Sequence, residues 1–299
     1  MRRTVPALIV IAAVAGAALT GCSASGQASA ACTVTSGSAS DSIQATGGFG
    51  STSLAATVPS PLNANRTEST TLIKGTGARV SNGGAAQLTV TIFDGATGQQ
   101  TGATQQGFFP VASKTIGTGL AHALECATVG SRIAVVVPQS DGASALGVQG
   151  SAALVVDVQK ALPGRATGRV RPATPGFPTV VLAPSGQPGI VIGEHQEPTK
   201  VTSAVLKQGD GKKATANDVL IVQTQTVTWA DPTTASGSWE QGAPATQSLN
   251  DKSALSSQLI GKTVGSQVVV LVPKDKSQDG QAEATVVDIL GILPAAPAQ

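Results

Sequence analysis

The chain repeats itself. The block Thr128-Val129-Gly130-Ser131-Arg132 leads into Val135-Val136-Val137-Pro138, and Thr263-Val264-Gly265-Ser266-Gln267 leads into an apolar run over 268–272 and then Pro273. One and the same interval separates the two threonines and the two prolines. Downstream, Leu154-Val155-Val156-Asp157-Val158 is answered by Thr285-Val286-Val287-Asp288-Ile289; upstream, Lys74-Gly75-Thr76-Gly77 is answered by Gln208-Gly209-Asp210-Gly211. Strand-like blocks that match in the same order mean one fold used twice. The length of 299 residues agrees, since a domain takes roughly 100 to 200.

Composition then narrows the class. Only 12% of the residues are charged and the net charge is +2, too weak a field to collect nucleic acid. Net charge by itself argues for neither a lipid surface nor an acidic partner. β-branched runs over 87–93, 133–137, 153–158, 219–228, 268–272 and 285–290 predict strands. Asp94-Gly95, Asp141-Gly142, Asp210-Gly211 and Asp279-Gly280 punctuate them as turns. Helical spacing is confined to 119–126 and 253–260. The fold class expected is α+β, with two tandem domains, each a twisted antiparallel sheet packed on one short helix. The first domain is placed at 33–162, with a Ser/Gly-rich lead-in at 32–57 that has room for an edge strand. A Pro/Gly-rich linker follows at 163–177, then the second domain at 178–294 and a tail at 295–299.

The N-terminus reads as an export signal over 1–21: Arg2-Arg3, an apolar run over 5–19, then small residues. The run is too short for a membrane-spanning helix, which needs about 20 residues. Leu19-Thr20-Gly21-Cys22 resembles the lipobox of bacterial lipoproteins, in which the cysteine carries the lipid. The expected location is therefore the outer face of the cell membrane, held through Cys22, with 22–32 as a tether. The alternative is an ordinary secretory signal in which Cys22 is incidental. Cys32 and Cys126 are the remaining cysteines; an exported chain favours a disulfide between them, and two buried thiols are the other reading. Neither cysteine stands in a Cys-x-x-Cys pair and the chain has only two histidines, so no metal and no cofactor is expected.

In the second half, 206–211 (LKQGDG), 219–226, Ser238-Trp239-Glu240-Gln241-Gly242, Pro244-Ala245-Thr246, 259–266 (LIGKTVGS), Val272-Pro273 and 286–291 (VVDILG) resemble the FKBP-type peptidyl-prolyl isomerases. The order and spacing hold from 206 to 291, and Leu-Ile-Gly-x-x-Val-Gly-Ser is the most specific part. Through the repeat, the first domain looks like a diverged copy of the same half-barrel. The resemblance implies an enzyme that turns X-Pro bonds in proline-containing segments of exported proteins. That reaction needs no acid or base. Its barrier of roughly 18 to 20 kcal/mol is amide resonance, and a dry apolar cavity favours the less dipolar twisted amide.

The family lines this cavity with aromatics, and here the positions differ. The early-strand Tyr falls on Thr224, the Phe-Asp pair on Ala235 and Ser236, the Phe after the proline on Gln247, the floor residue on Leu255, and the last-strand Phe on Thr285. The loop after Pro273 has no aromatic, and the whole chain has no tyrosine. Leu255, with Ile260 and Val270, is what remains to line an apolar hollow. The expected function is thus an isomerase-like lipoprotein of weak activity. The alternatives are a non-catalytic binding or chaperone-like module for exported proteins, or a purely structural envelope protein. Trp229 and Trp239 read as packing residues, and His122 and His195 as surface residues. Phe108-Phe109-Pro110 reads either as core filling or as the lining of a small groove.

Overall fold

A computed structural model describes residues 34–293. The export signal, Cys22, the tether, Cys32 and the 295–299 tail lie outside the described residues. The chain opens with a helical turn, α1 (Ser38–Asp41), and a hairpin of β1 (Gln44–Thr46) and β2 (Ala55–Thr57). A first lobe follows: β3 (Glu68–Ile73), β4 (Ala85–Asp94), β5 (Gln105–Pro110), the helical turn α2 (Ser113–Ile116), helix α3 (Thr118–Cys126), β6 (Arg132–Val137) and β7 (Ala152–Leu162). Next come β8 (Arg169–Val170) and a second hairpin, β9 (Thr179–Leu182) with β10 (Pro188–Val191). The second lobe holds β11 (Thr202–Gln208), β12 (Val219–Thr228), the turn α4 (Ser238–Gln241), β13 (Ala245–Ser248), helix α5 (Ala254–Leu259), β14 (Gln267–Val272) and β15 (Glu283–Ile292).

The first sheet runs β3-β6-β7-β4-β5, and the second runs β11-β14-β15-β12-β13 with β8 added outside β11. Every pairing is antiparallel. The two orders are identical element for element, as the repeated sequence blocks require.

A strand that is apolar at every position needs cover on both faces. In β6, Ile133, Val135 and Val137 point toward α3, where they meet Leu120, Ala121 and Leu124. Ala134 and Val136 point the other way, into a second core with Ala39 and Ile43 from the lead-in and with Val58 and Leu62 just after it. The second sheet does the same. Val268, Val270 and Val272 share a core with Leu259 of α5, whereas Val269 and Leu271 pack against Ile190 and Ile192 beside the second hairpin. Each buried Val or Leu contributes about 1.5–3 kcal/mol relative to exposure. The lead-in at 32–57 therefore differs from expectation: β1 pairs only with β2 and covers the back of the first sheet instead of extending its edge. The short Ala/Thr strands bury too little alone to persist without the sheet beneath them.

The Thr-Val-Gly-Ser blocks form two copies of one tight turn. Gly130 and Gly265 have φ of 90° and 89°, which a side chain would resist. Gly130 N donates to Val158 O at 2.8 Å and Gly265 N to Ile289 O at 2.7 Å. The turn lies against Gly75 in one lobe and Gly209 in the other, where a Cβ would strike its backbone. These glycines serve backbone contact in both lobes.

At the centre of each sheet sits the aspartate of the Val-Val-Asp block. Arg132 Nε and Nη2 reach Asp157 Oδ1 and Oδ2 at 2.6 and 2.8 Å, and the guanidinium also donates to the carbonyls of Gly47 and Gly48. The charge pair thereby fastens the covering hairpin. In the second lobe Gln267 Nε2 donates to Asp288 Oδ1 at 2.7 Å, and Ala166 N donates to Asp288 Oδ2 at 3.2 Å. Residues 163–177 are thus held to the second lobe, by Ala166 and by the pairing of β8 with β11. Both lobes belong to one compact unit and meet through Ala85, Leu162, Ile221 and Leu290, with Gln223 Nε2 donating to Gly83 O at 3.0 Å.

Candidate functional site

The residues aligned with the family's cavity divide between two faces of the second sheet. On β12, Leu220 and Val222 face α5, and strand alternation carries Thr224 and Thr226 to the same side. Thr285 of β15 joins them by the same alternation, two residues before Val287. Leu255 packs half-buried on this core, and Gln247 reaches it from β13. Ala235 lies on the opposite side, against Phe177, Val180 and Trp229. Ser236 is exposed and spends its backbone on the edge of β12, exchanging hydrogen bonds of 2.8 and 2.9 Å with Thr226. Thr224, Gln247, Leu255 and Thr285 therefore share a face; the antiparallel bridge with Thr226 sets Ser236 at its edge, and Ala235 faces away.

The polar groups on that face are occupied by one another. Thr285 is buried, and its hydroxyl shares a 2.9 Å hydrogen bond with Thr226. Thr224 N donates to Ser238 Oγ at 2.8 Å, while Ser238 N donates to Thr224 Oγ1 at 3.1 Å. Gln247 Nε2 donates to Ser256 Oγ and to Asp251 Oδ2, each at 2.9 Å. Ser256 itself donates to Ser248 O, and its backbone N–H is capped by Ser253 Oγ at the start of α5. Partial burial pushes the Asp251 carboxyl up, but the amide of Ser253 and the neighbouring hydroxyls and amide outweigh it and hold the group below its ordinary value. Such a network closes the face; it leaves no ring-lined cavity in which an amide could be stripped of water.

Hollows open at the rim of the second sheet's back face, beside β3 and α3, and between the lobes. None is lined by Thr224, Gln247, Leu255 or Thr285. Ile260 is exposed on the surface, and Val270 is fully buried in the core.

Other singled-out residues find plain roles. The rings of Phe108 and Phe109 part company: Phe109 packs into the first core, and Phe108 joins the contact between lobes under Lys160, whose Nζ stands 6.0 Å from the ring centre. Trp229 donates its ring N–H to His195 O at 2.9 Å. Trp239 is half-buried, with its ring nitrogen shielded and without a hydrogen-bond partner. His122 and His195 are exposed. Cys126 is disulfide-bonded, and since it is the single cysteine among the described residues, its partner lies outside them. No group of three or more His, Cys, Asp or Glu among the described residues could hold a metal ion, and no helix among them is long and apolar enough to cross a membrane. The buried Arg132–Asp157 pair was not foreseen; its trace in the sequence is an aspartate inside a valine run, opposite an arginine that follows the Thr-Val-Gly-Ser turn.

Neither a known protein family nor any curated protein matches the chain. Among solved structures, the neighbours are FKBP-type isomerases. The three FKBP domains of wheat FKBP73 match at 12% identity and a TM-score of 0.32, over 76% of this chain and 94% of that one. FkpA from Escherichia coli matches at 15% identity and 0.29, over 39% and 53%. A peptidyl-prolyl cis-trans isomerase from Pseudomonas syringae matches at 17% identity and 0.28, over 41% and 84%. At these values no residue's role passes from those proteins to this chain.

Proposed function

We propose that this protein is an FKBP-like module of the cell envelope, exported and held at the outer face of the membrane through a lipid on Cys22. In this reading it binds extended, proline-containing segments of exported proteins and turns their prolyl bonds weakly or not at all. The observation that carries it is the closed threonine face, where Thr226 and Thr285 satisfy each other and Thr224 is bound to Ser238. A face whose hydroxyls bond one another offers no dry apolar cavity to favour the twisted amide over the planar one, so differential stabilisation is lost. Aromatic rings bury on the order of 150–250 Å² each, and the aligned positions Thr224, Gln247, Leu255 and Thr285 supply none.

A protease-coupled isomerisation assay on a series of proline tetrapeptides tests the reading. The expected result is no more than a few-fold acceleration at micromolar protein. Turnover comparable with that of an ordinary immunophilin would overturn it and restore the isomerase reading that the sequence resemblance suggests. The disulfide of Cys126 is assigned in the same proposal to Cys32, which would fasten the start of the mature domain to the end of α3. Peptide mapping without reduction should recover the two half-cystines in one fragment, and a Cys126 fragment joined to Cys22 would contradict both this pairing and the lipid on Cys22.

A further inference from the structure

The outer side of β11 is only partly used. β8 pairs with β11 through Lys207 and Gln208, and Arg171 N donates to Leu206 O at 2.8 Å; alongside 202–205 no strand among the described residues is paired on that side. Next to this open backbone lies a hollow of about 230 Å³ lined by Phe177, Val180, Ala204 and Leu206. It is the open rim of the back-face core, on the side of the sheet away from the threonine face.

Its surroundings are apolar and cationic together. Val170 is 79% exposed, and Leu182 at the end of β9 is 43% exposed. Arg171 and Lys207 line the hollow, no acidic residue does, and Arg169 is exposed just outside it. Neither Arg169 nor Arg171 is ion-paired among the described residues. An open strand edge offers main-chain hydrogen bonds to an extended chain, a hollow beside it selects side chains, and unpaired guanidinium groups select carboxylates.

We propose that an extended, acidic segment of another polypeptide adds to β11 alongside 202–205. It sets an apolar side chain in the hollow and its carboxylates against Arg169 and Arg171. This names a surface for the binding function proposed above and rests on that reading. A second copy of this chain is the wrong occupant, because edge-to-edge pairing would bring its own Arg169 and Arg171 up to these two. A lipid surface would use the charges but leave the strand edge unpaired.

The test uses the whole chain and a short fluorescent peptide alternating valine with glutamate, beside counterparts with lysine or serine in place of glutamate. The glutamate peptide is expected to bind about tenfold more tightly than the lysine peptide. The Arg169→Glu/Arg171→Glu double variant should lose about tenfold of that affinity while unfolding at the same temperature, since both side chains are exposed. Amide hydrogen exchange should slow over 202–205 when the glutamate peptide is present. Equal binding of the glutamate and lysine peptides overturns the proposal. Protection that maps instead to Leu255 and β12 overturns it as well but leaves segment binding intact. Binding of none of the peptides removes this site, and the binding function as well if an unfolded proline-rich chain also fails to bind. Capture by phosphatidylglycerol vesicles that is lost in the double variant, with no peptide protection at 202–205, would overturn it in favour of a lipid-facing edge.

Discussion

Asp157 and Asp288 hold the same place in the two repeats and live with different partners. Asp157 meets a guanidinium, Asp288 a neutral amide, and both carboxylates are buried. Replacing Arg132 by methionine would leave Asp157 charged, buried and unpaired, a loss of about 3–5 kcal/mol in urea unfolding. Replacing Gln267 by methionine removes one hydrogen bond to a buried acceptor, about 1–3 kcal/mol. Equal losses would mean that the charge of Arg132 is irrelevant. Asp288 also makes a pH prediction. Burial raises its carboxyl above the ordinary 3.8, and the hydrogen bonds from Gln267 and Ala166 only partly offset this. A carboxyl raised by folding stabilises the native state fully below its unfolded value and loses that contribution as pH rises through the folded one. The urea midpoint of the second lobe should therefore decline as pH climbs from about 3.8, and Asp288→Asn should flatten that component. An unchanged slope in the variant would refute the assignment.

At the scale of elements, the two covering hairpins matter more than their size suggests. Ile43 is 1% exposed and lies between the lead-in and the back of the first sheet. Ile43→Ala should cost about 2–5 kcal/mol and speed amide exchange in β1 and β2. A cost under about 1 kcal/mol would mean that the hairpin rests on the sheet without sealing it. The central strands were readable from the chain because their two-sided burial writes continuous valine runs, as in β6 and β14. The edge strands were not: β5 and β13 are half polar, and β1 and β2 are three-residue Ala/Thr pieces with no period to detect. β9 and β10 hide between prolines and glycines. For the candidate site, Thr224 and Thr285 on the central strands share a face with Gln247 of β13 and Leu255 of α5. Ser236 joins them at the edge through its antiparallel bridge with Thr226, and the same alternation turns Ala235, one residue earlier, toward the back-face core.

At the scale of the whole molecule, the lobes keep separate cores and share a small contact built on Leu162, Ala85, Ile221 and Leu290. Leu162 also presses on Gly291, where a Cβ would meet its side chain. Leu162→Ala should spare both cores and weaken their coupling, so the calorimetric transition broadens or splits. A uniform shift of one sharp transition would show that Leu162 serves its own lobe alone. The hairpins carry a consequence of another kind. Gln44 and Thr179, where they begin, stand as far apart in the chain as Thr128 and Thr263. The structural correspondence of the two halves therefore begins at β1 and β9, well upstream of any letter-by-letter likeness. Anyone cutting out a single lobe must begin ahead of its hairpin, or the excised half will present a bare apolar sheet to water and aggregate.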